Sequence, residues 1–369
     1  MGALIETRLD LARHLQTQMM ASRGRWTAAG EEEDAGARTM VKTYLVEAHC
    51  GHDDAATASA LTTLGSTVGF ETFQAKDPGL FRLVARDVEF WCDTSMGRFW
   101  RMHTTAPVDD ADPLQDRMVS SVPWLDKVWL PPDYLEELPA KAGARMLTFS
   151  LNHDRRPLNK SDEPTTDSDF VTLRLWASHA QETLRKLREA AVFPHGVSIR
   201  SVRLRSGGDE PGADFCVAEY FHNGKITVGG TSFDEHSRLV VAVLRDYRAL
   251  VERIETRYAL GAGQDEHGHP TVAGDPIVID VDWTLPDLEF AVARIFGSAE
   301  PFRLWGLPER IADSHYRARA VDLHVGGVLT IDITRKYIAI QLPRGVCGNT
   351  VVRFVNHLRF HVNADAAGV

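Results

Sequence analysis

Apolar and polar residues alternate most clearly between residues 170 and 259, where the spacing of apolar positions changes from two to near four and back. Alternation predicts a strand at Phe170–Trp176, and apolar positions spaced by three and four predict a helix over 180–191. Three further alternating segments predict strands, at 197–205, 215–221 and 225–231. The dipeptide Asn223–Gly224 favours a tight hairpin turn between the last two of these strands. An apolar stripe over 240–258 predicts a long helix that lies across the resulting sheet.

The same order of elements recurs on either side of this segment. Residues 277–363 predict a strand, a helix, three strands and a closing helix, and residues 41–138 follow this order more loosely. The predicted fold class is therefore α+β, with two to three tandem units of β-α-β(3-4)-α order. Each unit is expected to form an antiparallel sheet with its helices on one face.

Polar stretches marked by glycine and proline separate these units and predict the domain boundaries. The predicted division is an N-terminal helix and flexible linker (1–40), a first unit with an extra tail (41–151), a linker (152–169), a second unit (170–259), a linker (260–276) and a third unit (277–363). The N-terminal helix is amphipathic, so we expect it to dock either on a partner or on its own chain.

The repeated order resembles the repeats of the TATA-binding-protein-like fold, and this resemblance covers most of the chain in topology. Two features depart from that family. The connections between strands lack matched pairs of wedge phenylalanines, and residues 41–138 carry 8 basic against 16 acidic residues. Because a DNA-facing sheet should be basic, the resemblance implies an expectation about the fold and none about function.

Composition places the protein among ordinary globular chains. Its 369 residues are 44% hydrophobic and 25% charged, with a formal net charge of -10. No apolar run approaches the roughly 18 residues that cross a bilayer, so we expect a cytoplasmic protein without a membrane partner. The four cysteines form no CxxC pair, which is typical of neither a disulfide framework nor a zinc ribbon. An excess of arginine over lysine suggests a bacterial genome.

Two groups of residues are candidates for metal binding. His49, Cys50 and His52 lie where a strand is predicted to end and a helix to begin, and their side chains suit zinc or another transition metal. Ligands so close in sequence need a distant partner to complete a coordination sphere. Asp280 and Asp282 project from one side of a predicted strand and suit a divalent cation. The alternatives are a capped helix start and the polar face of a one-sided sheet.

Two further groups are candidates for binding macromolecules. Arginines on two predicted strands can direct guanidinium groups toward phosphate, namely Arg200, Arg203, Arg205, Arg317 and Arg319. Such residues are also typical of the wet side of a sheet. The first unit is rich in tryptophan, and Trp91, Trp100 and Trp129 are either core residues or an aromatic protein-binding surface.

The sequence has no nucleophile elbow, no phosphate-binding glycine loop and no dinucleotide fingerprint, so we expect no cofactor. The leading hypothesis is a non-catalytic binding or scaffold protein that presents sheet surfaces to a protein or nucleic-acid partner, as an accessory subunit of a bacterial defence or DNA-processing assembly. The first alternative is a metal-dependent phosphoesterase or nuclease. The second alternative is a protein that binds nucleic acid directly through the arginine-bearing sheet faces.

Overall fold

The computed structural model describes residues 5–21, 40–51, 53–158, 170–176, 179–190, 196–208, 210, 212–281, 283, 287–298 and 300–366. Within these residues the chain is α+β with antiparallel sheets, as predicted. The helices are α1 (Arg8–Ala21), α2 (Asp54–Val68), α3 (Val108–Ser121), α4 (Pro132–Ala142), α5 (Ala180–Glu189), α6 (Phe233–Arg253), α7 (Leu288–Ile295) and α8 (Gly348–His361).

Eleven strands form one large antiparallel sheet. They are β1 (Val41–Ala48), β2 (Glu71–Gln74), β3 (Leu80–Ala85), β4 (Val88–Asp93), β5 (Phe99–Thr104), β6 (Leu125–Lys127), β7 (Arg145–Asp154), β8 (Phe170–Trp176), β9 (Ser198–Gly207), β10 (Phe215–Phe221) and β11 (Lys225–Gly230). Their order is β2-β3-β4-β5-β1-β11-β10-β9-β7-β8, and β6 also pairs with β1. Strands of the first and second predicted units therefore belong to one continuous sheet.

Strand β1 lies near the middle of the large sheet and is buried along its whole length. Successive side chains of a strand point to opposite faces. Tyr44 and Val46 accordingly pack in a core with α2 and α3, whereas Val41 and Leu45 pack in a second core with α1, α4 and α6. Both faces of the sheet are covered by helices at this strand. A charged residue in β1 is thus forced into the interior.

The C-terminal part of the chain forms a second, five-stranded sheet. Its strands are β14 (Ile277–Asp280), β15 (Leu304–Ala312), β16 (His315–Asp322), β17 (Val328–Thr334) and β18 (Tyr337–Gln341), in the order β14-β18-β17-β16-β15. Helix α8 is buried on nearly all sides, because it packs on this sheet and also on α6 and β7 of the large sheet's side. The core that it shares with α6 joins the two sheets into one body.

Short elements fill the segments between the units. The predicted linker over 260–276 carries a small hairpin of β12 (Gly261–Gln264) and β13 (Pro270–Ala273), and α6 ends in a π-helical turn at Ile254–Tyr258. A 3-10 turn lies at Arg156–Leu158. Residues 159–169, most of the other predicted linker, lie outside the described residues.

Each of the three predicted units contains the predicted β-α-β(3-4)-α order of elements. That they arose by duplication, and that they are separate domains, stays a prediction. Helix α1 docks on its own chain, since Leu15 and Met19 are fully buried in the core that lies between the large sheet and α6. Among the described helices, none combines the length and the apolar character that crossing a bilayer requires.

Candidate functional site

The structure brings four side chains with metal-binding chemistry together at the junction of the two sheets. Glu47 is the seventh residue of β1 and faces the same side as Val41 and Leu45, toward α6 and α8. His49 follows β1, His324 follows β16, and Cys347 precedes the first turn of α8. One ligand atom from each of the four lies within 4.8 Å of the others.

The Glu47 carboxylate is the centre of this cluster, which we call the junction cluster (Glu47, His49, His324 and Cys347). Its Oε2 lies 3.1 Å from His324 Nε2 and accepts a hydrogen bond of 3.2 Å from Cys347 Sγ. Its Oε1 lies 3.7 Å from His49 Nε2. The two imidazole rings meet edge to face with their centroids 5.2 Å apart.

One arginine compensates the buried charge of this cluster. Arg98 pairs with Glu47 Oε1 and lies 3.1 Å from Cys347 Sγ, and Glu255 accepts two hydrogen bonds from the same guanidinium at 2.9 and 2.7 Å. Burial opposes ionisation of Glu47, but the neighbouring imidazoles and Arg98 bring its pKa well below the usual value. Burial and the charge of Glu47 raise the pKa of the Cys347 thiol well above its usual value. Glu47 is therefore ionised and Cys347 carries its proton.

A second buried ionic network lies beside the junction cluster. Arg353 of α8 is fully buried and donates to both Asp126 and Asp322. Arg303 reaches Asp126 at 3.3 Å, and Thr350 donates to the other oxygen of Asp322. Burial opposes ionisation of Asp126, yet the charges of Arg353 and Arg303 lower its pKa below the usual value. This network ties α8 to both sheets.

The sequence candidates for metal binding separate in the structure. His49 belongs to the junction cluster, but Cys50 is outside it, and burial raises the pKa of that thiol. Asp280 is exposed at the end of β14. His52 and Asp282 lie outside the described residues. The alternative of a capped helix start applies to the residue that follows His52. Asp53 caps α2, since its carboxylate accepts a hydrogen bond from the Ala56 backbone amide.

The arginines of β9 are tied to their own sheet. Arg203 is buried and pairs with Glu219 at 3.1 Å, and the Arg205 guanidinium lies over the Phe215 ring at 4.2 Å. Arg200 is exposed. The pairing of Arg203 satisfies a buried carboxylate, so this side chain is not directed at an external phosphate.

Among the residues that the structure describes, nothing covers one side of the C-terminal sheet, and we call this side the open face. Arg317 and Arg319 are exposed there, as the strand pattern predicts, and Arg317 pairs with Asp332 at 2.8 Å. Trp305, Val321 and Val328 stand side by side on three neighbouring strands. Leu307, next to Trp305 on the same side, is 77% exposed. Seven of the thirteen exposed large apolar side chains in the described part of the chain belong to this sheet and its turns.

Three tryptophans of the first unit, Trp91, Trp100 and Trp129, are buried core residues. Trp91 and Trp129 belong to the core that contains α6, and Trp100 belongs to the core under α2 and α3. All three are buried, so the aromatic protein-binding surface expected as one alternative is not available at these positions. The sequence alone could not separate the two alternatives, because tryptophan is common both in protein cores and at protein interfaces.

Three members of the junction cluster escaped the sequence analysis. Glu47 carried a usable signal, since it is a carboxylate inside a strand whose other positions are mostly apolar. His324 and Cys347 carried none, because nothing in the sequence places them beside residues some 280 to 300 positions earlier. The sequence indicated only that a metal site at His49 would need further ligands from distant parts of the chain.

The fold and the junction cluster define an α+β protein with a buried polar centre between its two larger sheets. The chain belongs to the family of MJECL33-like proteins, which matches residues 1–367. It is 24% identical over 309 residues to the uncharacterised protein MJECL33 of Methanocaldococcus jannaschii, an alignment that covers 73% of each chain. No solved structure matches the chain. Neither name carries an activity, so function has to be argued from the residues.

Proposed function

We propose that this protein is a non-catalytic binding protein that presents the open face of its C-terminal sheet to a protein partner. The observation that carries the proposal is the apolar row of Trp305, Val321 and Val328 across three strands, with Trp305 53% and Val328 42% exposed. Contiguous exposed apolar residues mark interaction sites on soluble proteins. Tryptophan and arginine are the residues most enriched at the energetic centres of such sites.

Charge on the open face favours a protein over a nucleic acid. Arg317 is neutralised by Asp332 and lies opposite Glu309 on the neighbouring strand. Arg319 stands opposite Leu307 and Thr330, beside the apolar row. A surface that binds phosphates needs several uncompensated cations, whereas one arginine at the rim of an apolar patch suits an acidic residue of a protein.

The experiment compares two double variants with matched exposure. Trp305→Ser/Leu307→Ser removes the tryptophan of the apolar row and its exposed neighbour on the same strand, and Trp176→Ser/Val272→Ser removes a tryptophan and an aliphatic residue that are exposed to 50% and 77% elsewhere. The unaltered chain and the Trp176/Val272 variant should retain a purified partner from the native host. The Trp305/Leu307 variant should lose about 2 kcal/mol of binding free energy, which is roughly a 30-fold weaker affinity.

Circular dichroism and thermal melting should be alike for both variants, since all four side chains are exposed. A chain that elutes alone from its host, or a partner held equally by both variants, would contradict the proposal. Binding that falls steeply with salt and is abolished by Arg319→Ala would instead indicate a nucleic acid.

A further inference from the structure

We propose that the junction cluster is a binding site for one Zn²⁺ ion, with Glu47, His49, His324 and Cys347 as its four ligands. The inference is independent of the proposed partner surface, because the cluster is buried between the sheets and the open face lies on the outside. The donor set of one carboxylate, two imidazoles and one thiol is typical of zinc.

The spacing of the four donors suits a tetrahedral ion. Zinc bonds of about 2.0–2.3 Å place neighbouring ligand atoms of a tetrahedron about 3.3–3.8 Å apart. Glu47 Oε2 lies 3.1 Å from His324 Nε2 and 3.2 Å from Cys347 Sγ, and Glu47 Oε1 lies 3.7 Å from His49 Nε2. All four ligand atoms lie within 4.8 Å of one another, so side-chain shifts of up to about 1 Å would bring them to the edges of such a tetrahedron.

The hydrogen bonds of His324 point to a cation in front of its ring. Its Nδ1 lies 2.8 Å from the Pro123 carbonyl oxygen, which can only accept, so Nδ1 must carry a proton. In the neutral ring the Nε2 lone pair then faces the Glu47 carboxylate at 3.1 Å. Two acceptors at this distance require a cation or an extra proton between them. A hydrogen bond from the other ring nitrogen to a carbonyl is also the usual way in which a zinc-bound histidine is oriented.

The other histidine has an available ligand atom. His49 Nε2 is buried and points toward Glu47 Oε1, but their separation of 3.7 Å is longer than a well-formed hydrogen bond. A buried polar nitrogen that lacks a well-formed hydrogen bond is unfavourable, because burial also removes its contact with water. Coordination of an ion would satisfy this atom.

The surroundings of Cys347 suit a thiolate ligand. Cys347 is the N-cap residue of α8, where the helix dipole favours a negative charge, and Arg98 already lies 3.1 Å from its sulfur. Zinc would displace the thiol proton to solvent, and the ion's two positive charges would balance Glu47 and the thiolate. Arg98 and Glu255 remain as a neutral pair outside the four ligands.

Four protein ligands leave no open coordination position, so the site is structural. Glu47 and His49 come from the large sheet, and His324 and Cys347 come from the C-terminal unit. One ion would therefore fasten together two sheets whose ligands Glu47 and Cys347 lie 300 positions apart in the sequence.

The test measures metal content of the untagged chain after incubation with Zn²⁺ and gel filtration. We expect about one zinc per chain, retained by Cys216→Ser, a control at another fully buried cysteine, and reduced to background by Cys347→Ser and by His324→Gln. The Co²⁺-loaded chain should show thiolate-to-cobalt charge-transfer absorption, which Cys347→Ser abolishes and Cys216→Ser retains.

The unaltered chain decides the question even if a variant fails to fold. A folded chain, verified by circular dichroism, that retains no zinc and shows no charge-transfer absorption with Co²⁺ would overturn the proposal. Neither result bears on binding at the open face, so the two proposals fail separately.

Discussion

Replacing Arg353 is the most direct test of the forces that hold the two sheets together. This guanidinium is fully buried in α8 and donates to Asp126 of the large sheet and to Asp322 of the C-terminal sheet. Its Nε also donates to the Phe302 carbonyl at 3.1 Å. Arg353→Met preserves much of the side chain's volume but leaves two buried carboxylates without their shared cation.

The expected cost follows from the burial of those carboxylates. Removing one partner of a buried ion pair destabilises a protein by about 3–5 kcal/mol, because the remaining charge is neither solvated nor compensated. Arg303 still contacts Asp126 at 3.3 Å, whereas Asp322 keeps, within the described part of the chain, hydrogen bonds from Thr350 and from the His324 backbone amide alone. The larger part of the cost should therefore arise at Asp322.

The assay is equilibrium and thermal unfolding of Arg353→Met beside Arg238→Met, which removes an exposed arginine paired with Glu235. An entropy of unfolding of about 2.1 cal/mol/K per residue, over 369 residues, converts 3–5 kcal/mol into about 4–6 °C in Tm. The exposed pair should change stability by less than about 1 kcal/mol.

A third variant separates charge from packing. Asp322→Asn neutralises one of the two buried carboxylates, so Asp322→Asn/Arg353→Met should be at least about 1 kcal/mol more stable than the sum of the single changes predicts. If Arg353→Met melts like Arg238→Met, or if the two changes are simply additive, the reasoning about an uncompensated charge is refuted.

Two other predictions concern the large sheet. Burial lowers the pKa of His103 and His236 to about 3, so these rings stay neutral in the folded chain while the unfolded chain binds protons below a pH of about 6.5. Their contribution to stability is complete above that pH and should be lost at about 1.4 kcal/mol per pH unit for each ring as the pH falls toward 3. Urea midpoints between pH 7.5 and 5.5 measure this slope, which His103→Gln/His236→Gln should flatten; an unchanged slope would contradict it. Gly224→Ala should destabilise by more than about 1 kcal/mol, because φ is +76° and a Cβ would lie 2.6 Å from the Val128 carbonyl oxygen. Thermal melting against Gly212→Ala, which shares a positive φ but has open space around it, isolates the clash, and equal losses would exclude it.

Local patterns predicted individual elements well where one face of the element is buried and the other is wet. The strand predicted at Phe170–Trp176 has these bounds in the structure, and the hairpin turn at Asn223–Gly224 joins β10 to β11. Helix α2 begins at Asp54, directly after its cap residue Asp53. Strand β15 was not predicted. Its edge position tolerates Pro308 and several charged residues, which obscure the alternation.

The sequence by itself therefore determined the α+β class, the antiparallel strands and, apart from the edge strand β15, most of the order of elements within each unit. These properties depend on residues a few positions apart, whose spacing decides which face of an element is apolar. Only the tertiary structure decided that the first two units share one sheet, that Trp91, Trp100 and Trp129 are core residues, and that Glu47 meets His324 and Cys347. Those outcomes depend on how whole elements pack across hundreds of residues, and short-range patterns carry no information about that packing.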